Sequence, residues 1–155
     1  MYKSLYINLL IDPNFMEYLV YVSTAKKLMS DAELLDLLQT ARIKNAKYNV
    51  TGMLLYSEGT FIQALEGEKE DLYTIYKAIE LDFRHRNIIL MITGMVEERI
   101  FPKWSMAFAS VNADVLELIE GYLSPSAKNF IGDNNHATVT MLKTFAATNR
   151  LSISF

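Results

Sequence analysis

VTGMLLYSEGTFIQALEG, Val50 to Gly67, decides the fold. Two strand-length runs, VTGMLLYS and TFIQALEG, flank Glu58-Gly59, and Gly59 supplies the positive φ that a tight hairpin connection needs. The second run carries Gln63 among Phe61, Ile62, Ala64 and Leu65. A primary amide in such a run is expected in the core, where an unpaired polar group costs roughly 1–3 kcal/mol. Gln63 therefore needs a partner: backbone, a neighbouring side chain, or a ligand.

Upstream, YLVYVSTA gives a first strand over Tyr18 to Ser23, and LMSDAELLDLLQTARI then switches to helical spacing. Ser30 with Glu33 three positions on forms a capping box, and Leu34, Leu37, Leu38 and Ala41 recur on one helical face. The helix is expected to end near Ile43 to Asn45. Downstream of the hairpin, EKEDLYTIYKAIELD is an amphipathic helix striped by Leu72, Ile75, Tyr76 and Ile79. IILMITGM reads as a fourth strand and SMAFAS as a fifth.

The fold class that follows is α+β: a ferredoxin-like β-α-β-β-α-β sheet with a fifth strand and both helices on one face. Alternation puts Phe61, Gln63 and Leu65 on one face of their strand and Ile62, Ala64 and Glu66 on the other, while Leu19, Tyr21 and Ser23 share a face of the first. Both faces are partly apolar, so the second needs a cover too. ADVLELIEGYL and ATVTMLKTFAAT, separated by Pro125 and GDNNH, are expected to form C-terminal helices across it. The expected organisation is an N-terminal extension over 1–16, a domain over 17–110 and a helical cap over 111–155.

Composition removes several function classes. The chain has 155 residues, enough for one domain, and no cysteine, which excludes disulfides, thiolate metal sites, cysteine nucleophiles and flavin–cysteinyl adducts. A net charge of −3 gives no general ground for nucleic-acid or membrane-surface binding. The start lacks the features of a signal peptide or a membrane span, and a cytoplasmic location is expected. His85 and His136 lie far apart in no metal-binding pattern, and neither GxGxxG nor a Walker sequence occurs.

What remains is a set of aromatic and amide residues. Tyr21 and Gln63 lie on strands that the ferredoxin-like order makes neighbours, and a phenol can donate to an amide that keeps capacity for a third partner. A satisfied core Tyr–Gln pair uses the same residues. Asn45 is either a left-handed helix C-cap or an amide whose donor and acceptor match a pyrimidine-like edge. Arg84 and His85 are most simply a solvated turn after a helix, and Trp104 either anchors a core or takes part in the chemistry.

In order and approximate spacing, LVYVS, NAKYNVTGMLLY, GTFIQALEGE, DFRH and FPKWSM resemble the BLUF domain, the family of flavin-binding blue-light sensors, over Glu17 to Phe108. The resemblance implies a non-covalent FAD or FMN. Tyr21 then corresponds to the tyrosine that gives an electron to the excited flavin, and Gln63 to the glutamine between that tyrosine and the flavin. Asn45 corresponds to the asparagine at the pyrimidine edge. Ser23, Asp82, Arg84 and His85 fall among the expected flavin-contacting residues, and Trp104 and Met106 on the strand expected to rearrange on illumination. Asn49 replaces a frequent glycine before VTG, which is tolerable because asparagine visits left-handed conformations. The residues before the first strand also depart from the pattern; Met16 is an alternative start, or they form an added element.

No cyclase, phosphodiesterase or DNA-binding segment is recognised after Phe108. The expectation is a non-enzymatic sensor whose output passes through a partner protein or a change in self-association, as a dimer or larger ring. Two other classes share the strand order. One is a ferredoxin-like protein-interaction module without a chromophore, its pocket filled by side chains. The other is an acylphosphatase-like enzyme, which wants an arginine on the loop after the first strand, where STAKKLMSD offers only lysines.

Overall fold

A computed structural model describes residues 15–108, 120–122 and 135–149. Its elements are β1 (Met16–Ala25), α1 (Asp31–Lys47), β2 (Thr51–Ser57), β3 (Thr60–Gly67), α2 (Lys69–Glu80), β4 (His85–Val96), β5 (Ser105–Phe108) and α3 (Ala137–Thr148). The five strands form one sheet in the order β4-β1-β3-β2-β5, antiparallel except for the parallel pair β2–β5. The first and third strands are neighbours, as the ferredoxin-like order requires.

The β2–β3 hairpin closes on Glu58 and Gly59, both at positive φ (44° and 88°), which matches the right-handed twist of the strands it joins. Near its open end, Gly52 passes so close to β3 that a Cβ there would lie 1.9 Å from the Ala64 carbonyl oxygen. Only glycine fits that approach.

Helix α1 starts at the expected capping box: the Glu33 N–H donates to Ser30 Oγ at 3.2 Å and the Ser30 N–H to Glu33 Oε2 at 2.9 Å. It runs past the expected end, because the left-handed residue that breaks it is Asn49 (φ 51°), not Asn45. The C-cap expectation for Asn45 is thus corrected. Asn45 is helical, buried, and on the side of the last turn that meets the sheet.

Helices α1 and α2 cover the front of the sheet in two sub-cores. Leu34 and Leu38 pack with Leu54, Phe61, Trp104 and Met106, while Leu72, Ile75 and Tyr76 pack with Leu19, Tyr21 and Leu65. Helix α3 covers the back, where Val139, Leu142 and Ala146 meet Val20, Met53, Leu55, Ile62, Ala64 and Phe101. Fully burying a side chain of this kind contributes about 1.5–3 kcal/mol. The other expected C-terminal helix, the domain boundary at 110 and residues 1–14 of the expected N-terminal extension lie outside the described residues, while Met16 is the first residue of β1. Residues 120–122 touch the outer flank of β5, where the Met106 N–H donates to the Gly121 carbonyl at 2.6 Å. No helix among the described residues is long and apolar enough to cross a membrane.

Candidate flavin site between the two front helices

The two front sub-cores leave a cleft between α1 and α2, floored by Tyr21, Leu54, Phe61 and Gln63 and closed at one end by Asp82, Arg84 and His85. Tyr21 and Gln63 are directly opposed on β1 and β3. The Tyr21 phenol donates to Gln63 Oε1, which answers for half of the buried amide. The other half, Nε2, has no hydrogen-bond partner among the described residues, and Gln63 lines the cleft. Burial, then the neighbouring Tyr76 and Asp82, push the Tyr21 hydroxyl well above the ordinary phenol range. It is therefore a neutral donor at physiological pH.

Asn45 lies on the same wall, 4% exposed, and its side-chain amide likewise has no partner among the described residues. Its backbone carbonyl is occupied, accepting from the Tyr48 and Val50 N–H groups at 3.2 and 2.9 Å. Two carboxamides with hydrogen-bonding capacity unused among the described residues thus share one cleft, an arrangement that buried polar groups otherwise avoid.

At the closed end the Arg84 guanidinium forks onto the Asp82 carboxylate, with Nη2–Oδ2 at 2.6 Å and Nε–Oδ1 at 3.0 Å. Burial opposes the charge on Asp82, but Arg84 and then His85 more than offset it, and the carboxyl is held below its usual range. Both nitrogens of His85 are occupied: Nε2 faces the Ile79 carbonyl at 2.6 Å and must donate, so in the neutral ring Nδ1 accepts from Ser23 Oγ at 2.8 Å. His85 therefore offers the cleft its ring and no free nitrogen. Ser23 is not part of the wall; it stands behind His85 and fixes it.

Trp104 and Met106 are not on the wall either. Met106 pairs with Leu54, and Leu54 with Gln63, so Met106 lies two strands from the glutamine in a row across the sheet, with Leu54 between them. The Trp104 indole Nε1 is buried without a hydrogen-bond partner among the described residues. Sequence reasoning missed the side walls: Leu37, Thr40, Ala41 and Lys44 on α1, and Ile75, Ala78 and Ile79 on α2. Their i, i+3, i+4 spacing was visible, but not that each helix turns this stripe to the other. The small Ala41 and Ala78 leave width for a flat group. Among the described residues no three His, Asp or Glu side chains gather in a way that could hold a metal ion.

A flat ligand with a donor–acceptor edge fits this cleft: apolar walls for its faces, open amides for its rim, and a neutral phenol one hydrogen bond away. Residues 16–107 match the family described as sensors of blue-light using FAD, and the chain belongs to that family, BLUF. A curated relative, the photoactivated adenylate cyclase subunit beta of Euglena longa, is 31% identical over 133 residues, covering 84% of this chain and 16% of that protein. This chain thus spans about a sixth of the length of that relative. Among solved structures, BlsA in its photo-activated state is 27% identical with a TM-score of 0.58, covering 90% of this chain and 98% of that one. The dark-state structure of the BLUF protein BlrB is 29% identical, TM-score 0.55, covering 60% and 70%.

Proposed function

We propose that this BLUF protein is a blue-light switch in which FAD or FMN, held non-covalently between α1 and α2, reports through the Tyr21–Gln63 pair. The observation that carries the proposal is the Gln63 amide, which lines the cleft, is tied to Tyr21 through Oε1 and has no partner for Nε2 among the described residues. A bound flavin supplies, when excited, a strong one-electron oxidant. Tyr21, the oxidisable side chain in contact with the amide, would give its electron to that oxidant and its phenol proton to Gln63, and the return of both would restore the phenol. Charge and covalent composition end unchanged, and only the amide differs.

With the carboxamide turned over, Oε1 faces the cleft and Nε2 faces Tyr21. A phenol oxygen serves equally as donor or acceptor, so Tyr21 keeps a hydrogen bond in both states. Asn45 holds the donor–acceptor edge of the ring. Asp82 and Arg84 close the end of the cleft, and Ser23 holds His85 against it. Leu54 and Met106 lie in line beyond Gln63, so a change at the amide reaches β5, Trp104 and the segments that follow. We assign the sensor unit to residues 17–110, with the preceding residues as an extension and 111–155 as an output cap. Output runs without catalysis by the sensor unit, through a cytoplasmic partner protein or a change in self-association.

Absorption before and after blue light tests this. The purified protein is yellow, and its flavin band moves to the red on illumination and returns in the dark. A colourless protein that takes up neither FAD nor FMN overturns the proposal. The chromophore-free interaction module is disfavoured by the two open amides, which a pocket filled with side chains would satisfy.

A further inference from the structure

Glu66 is a carboxylate, 1% exposed, on the back of β3 beneath the apolar layer that meets α3. Burying a carboxylate costs several kcal/mol unless hydrogen bonds replace its water. Here they do. One oxygen accepts the Ile100 N–H at 3.0 Å and the other accepts the Phe101 N–H. Arg99 fastens the same segment from outside, with Nη1 donating to Thr51 Oγ1 at 2.5 Å and to the Glu66 carbonyl at 3.1 Å, and Nη2 to the Asn49 carbonyl at 2.7 Å. Burial pushes the carboxyl up from its usual range, and the two N–H groups and Arg99 act against that push.

The pinned segment connects opposite edges of the sheet, β4 to β5. Phe101 packs in the back core with α3, yet Trp104, three residues later, packs in the front core with Leu54 and Met106. The chain crosses from one face to the other in that step, and Glu66 holds the side it leaves. Neither Glu66 nor Arg99 lines the cleft.

We propose that Glu66 is a positioning residue for the light switch, its carboxylate pinning Ile100 and Phe101 so that Trp104 and β5 change place only against a barrier. This rests on the photosensor function proposed above. The pin restrains movement in both directions, so releasing it shortens the life of the lit state without disturbing the flavin. Glu66→Gln keeps the shape of the side chain but turns an N–H₂ group towards one of the two backbone donors.

The test is dark recovery of the full chain reconstituted with FAD, followed by absorption, together with the emission of Trp104, the single tryptophan. Glu66→Gln is expected to keep the amplitude of the red shift per bound flavin, to recover about tenfold faster, as loss of a charge-assisted contact to the barrier implies, and to alter the light-minus-dark change in Trp104 emission. A merely structural role lowers flavin content or melting temperature but leaves the recovery constant of the loaded fraction where it was. Recovery as slow as wild type or slower overturns the proposal. Arg99→Ala, a half-buried site outside the cleft, loosens the same segment and carries the same expectation if Glu66→Gln does not fold. A wild-type protein with no red shift sinks the photosensor function itself, a separate result.

Discussion

Gln63 and Glu66 stand three residues apart on one strand, both buried, and use their polar atoms in opposite ways. On the back, both oxygens of Glu66 end on backbone N–H groups of the same chain. On the front, Gln63 lines the cleft between two helices with one end on Tyr21 and the other without a partner among the described residues. Since buried polar groups are nearly always paired, capacity that ends in the protein marks architecture, and capacity that ends in a cleft marks where something else belongs. Asn45 repeats the front pattern from a different element. Among the described residues the two front amides leave capacity open at the cleft, whereas the Glu66 carboxylate on the back is fully paired.

The severest way to break this contrast is to remove the front pair. Tyr21→Phe deletes the electron donor and the phenol hydrogen bond; Gln63→Leu deletes the amide and keeps the volume. Each is expected to bind flavin and to lose the light-induced red shift entirely, read as a flat light-minus-dark spectrum at normal flavin content. A normal shift in either variant removes these residues from the switch.

The converse experiment strikes the back. Leu142, fully buried on α3 against Val20 and Ile62, becomes a cavity in Leu142→Ala. Truncation of this kind costs about 2–5 kcal/mol, seen as a lower midpoint in denaturant unfolding. The red shift of the folded, flavin-loaded fraction should survive. If Leu142→Ala abolished the shift while the protein stayed folded and loaded, the back face would be part of the photochemistry and the contrast would fail.

A finer cut separates holding the ligand from switching. Asn45→Ala removes one buried amide from the cleft rim and nothing from the Tyr21–Gln63 pair. A lost buried hydrogen bond of about 1–3 kcal/mol weakens flavin binding roughly ten- to hundredfold, measured by fluorescence titration. The shift per bound flavin stays. Unchanged affinity would leave Asn45 a purely structural residue.

Where the sequence was legible, the physics was local. The hairpin follows from two strand-like runs around Glu58-Gly59, the start of α1 from Ser30 and Glu33, and the facing of Tyr21 and Gln63 from period-two alternation once the strand order is set. Asn49 in a left-handed conformation was readable for the same reason. What stayed hidden depends on partners distant in the chain. Ser23 was expected among the flavin-contacting residues, and its hydrogen bond to His85, from the start of β4, was not readable from local pattern. Glu66 looked like any acid alternating on a strand, because the amides it accepts come from a connection after β4. Asn45 was placed at a helix end because asparagine often sits there, whereas the next asparagine four residues on is the one that breaks the helix.

The smallest expected effect concerns the charged end of the cleft. Asp82 is held below the ordinary carboxylate range in spite of burial, by the side-chain and backbone N–H groups of Arg84 and the nearby His85. A carboxyl with a lowered folded-state pKa contributes stability that is fully present above its unfolded value, about 3.9 for aspartate, and that is lost as pH falls through the folded one. Asp82→Asn should therefore be less stable than wild type at neutral pH, with the gap closing in acid below about pH 4. Asp82 and Arg84 side chains remain 26% and 33% exposed, so water screens the pair and the gap is small beside that of Leu142→Ala. A gap constant with pH would assign the stabilisation to hydrogen-bond geometry, which Asn partly preserves, and would make this end of the cleft architecture like the back of the sheet.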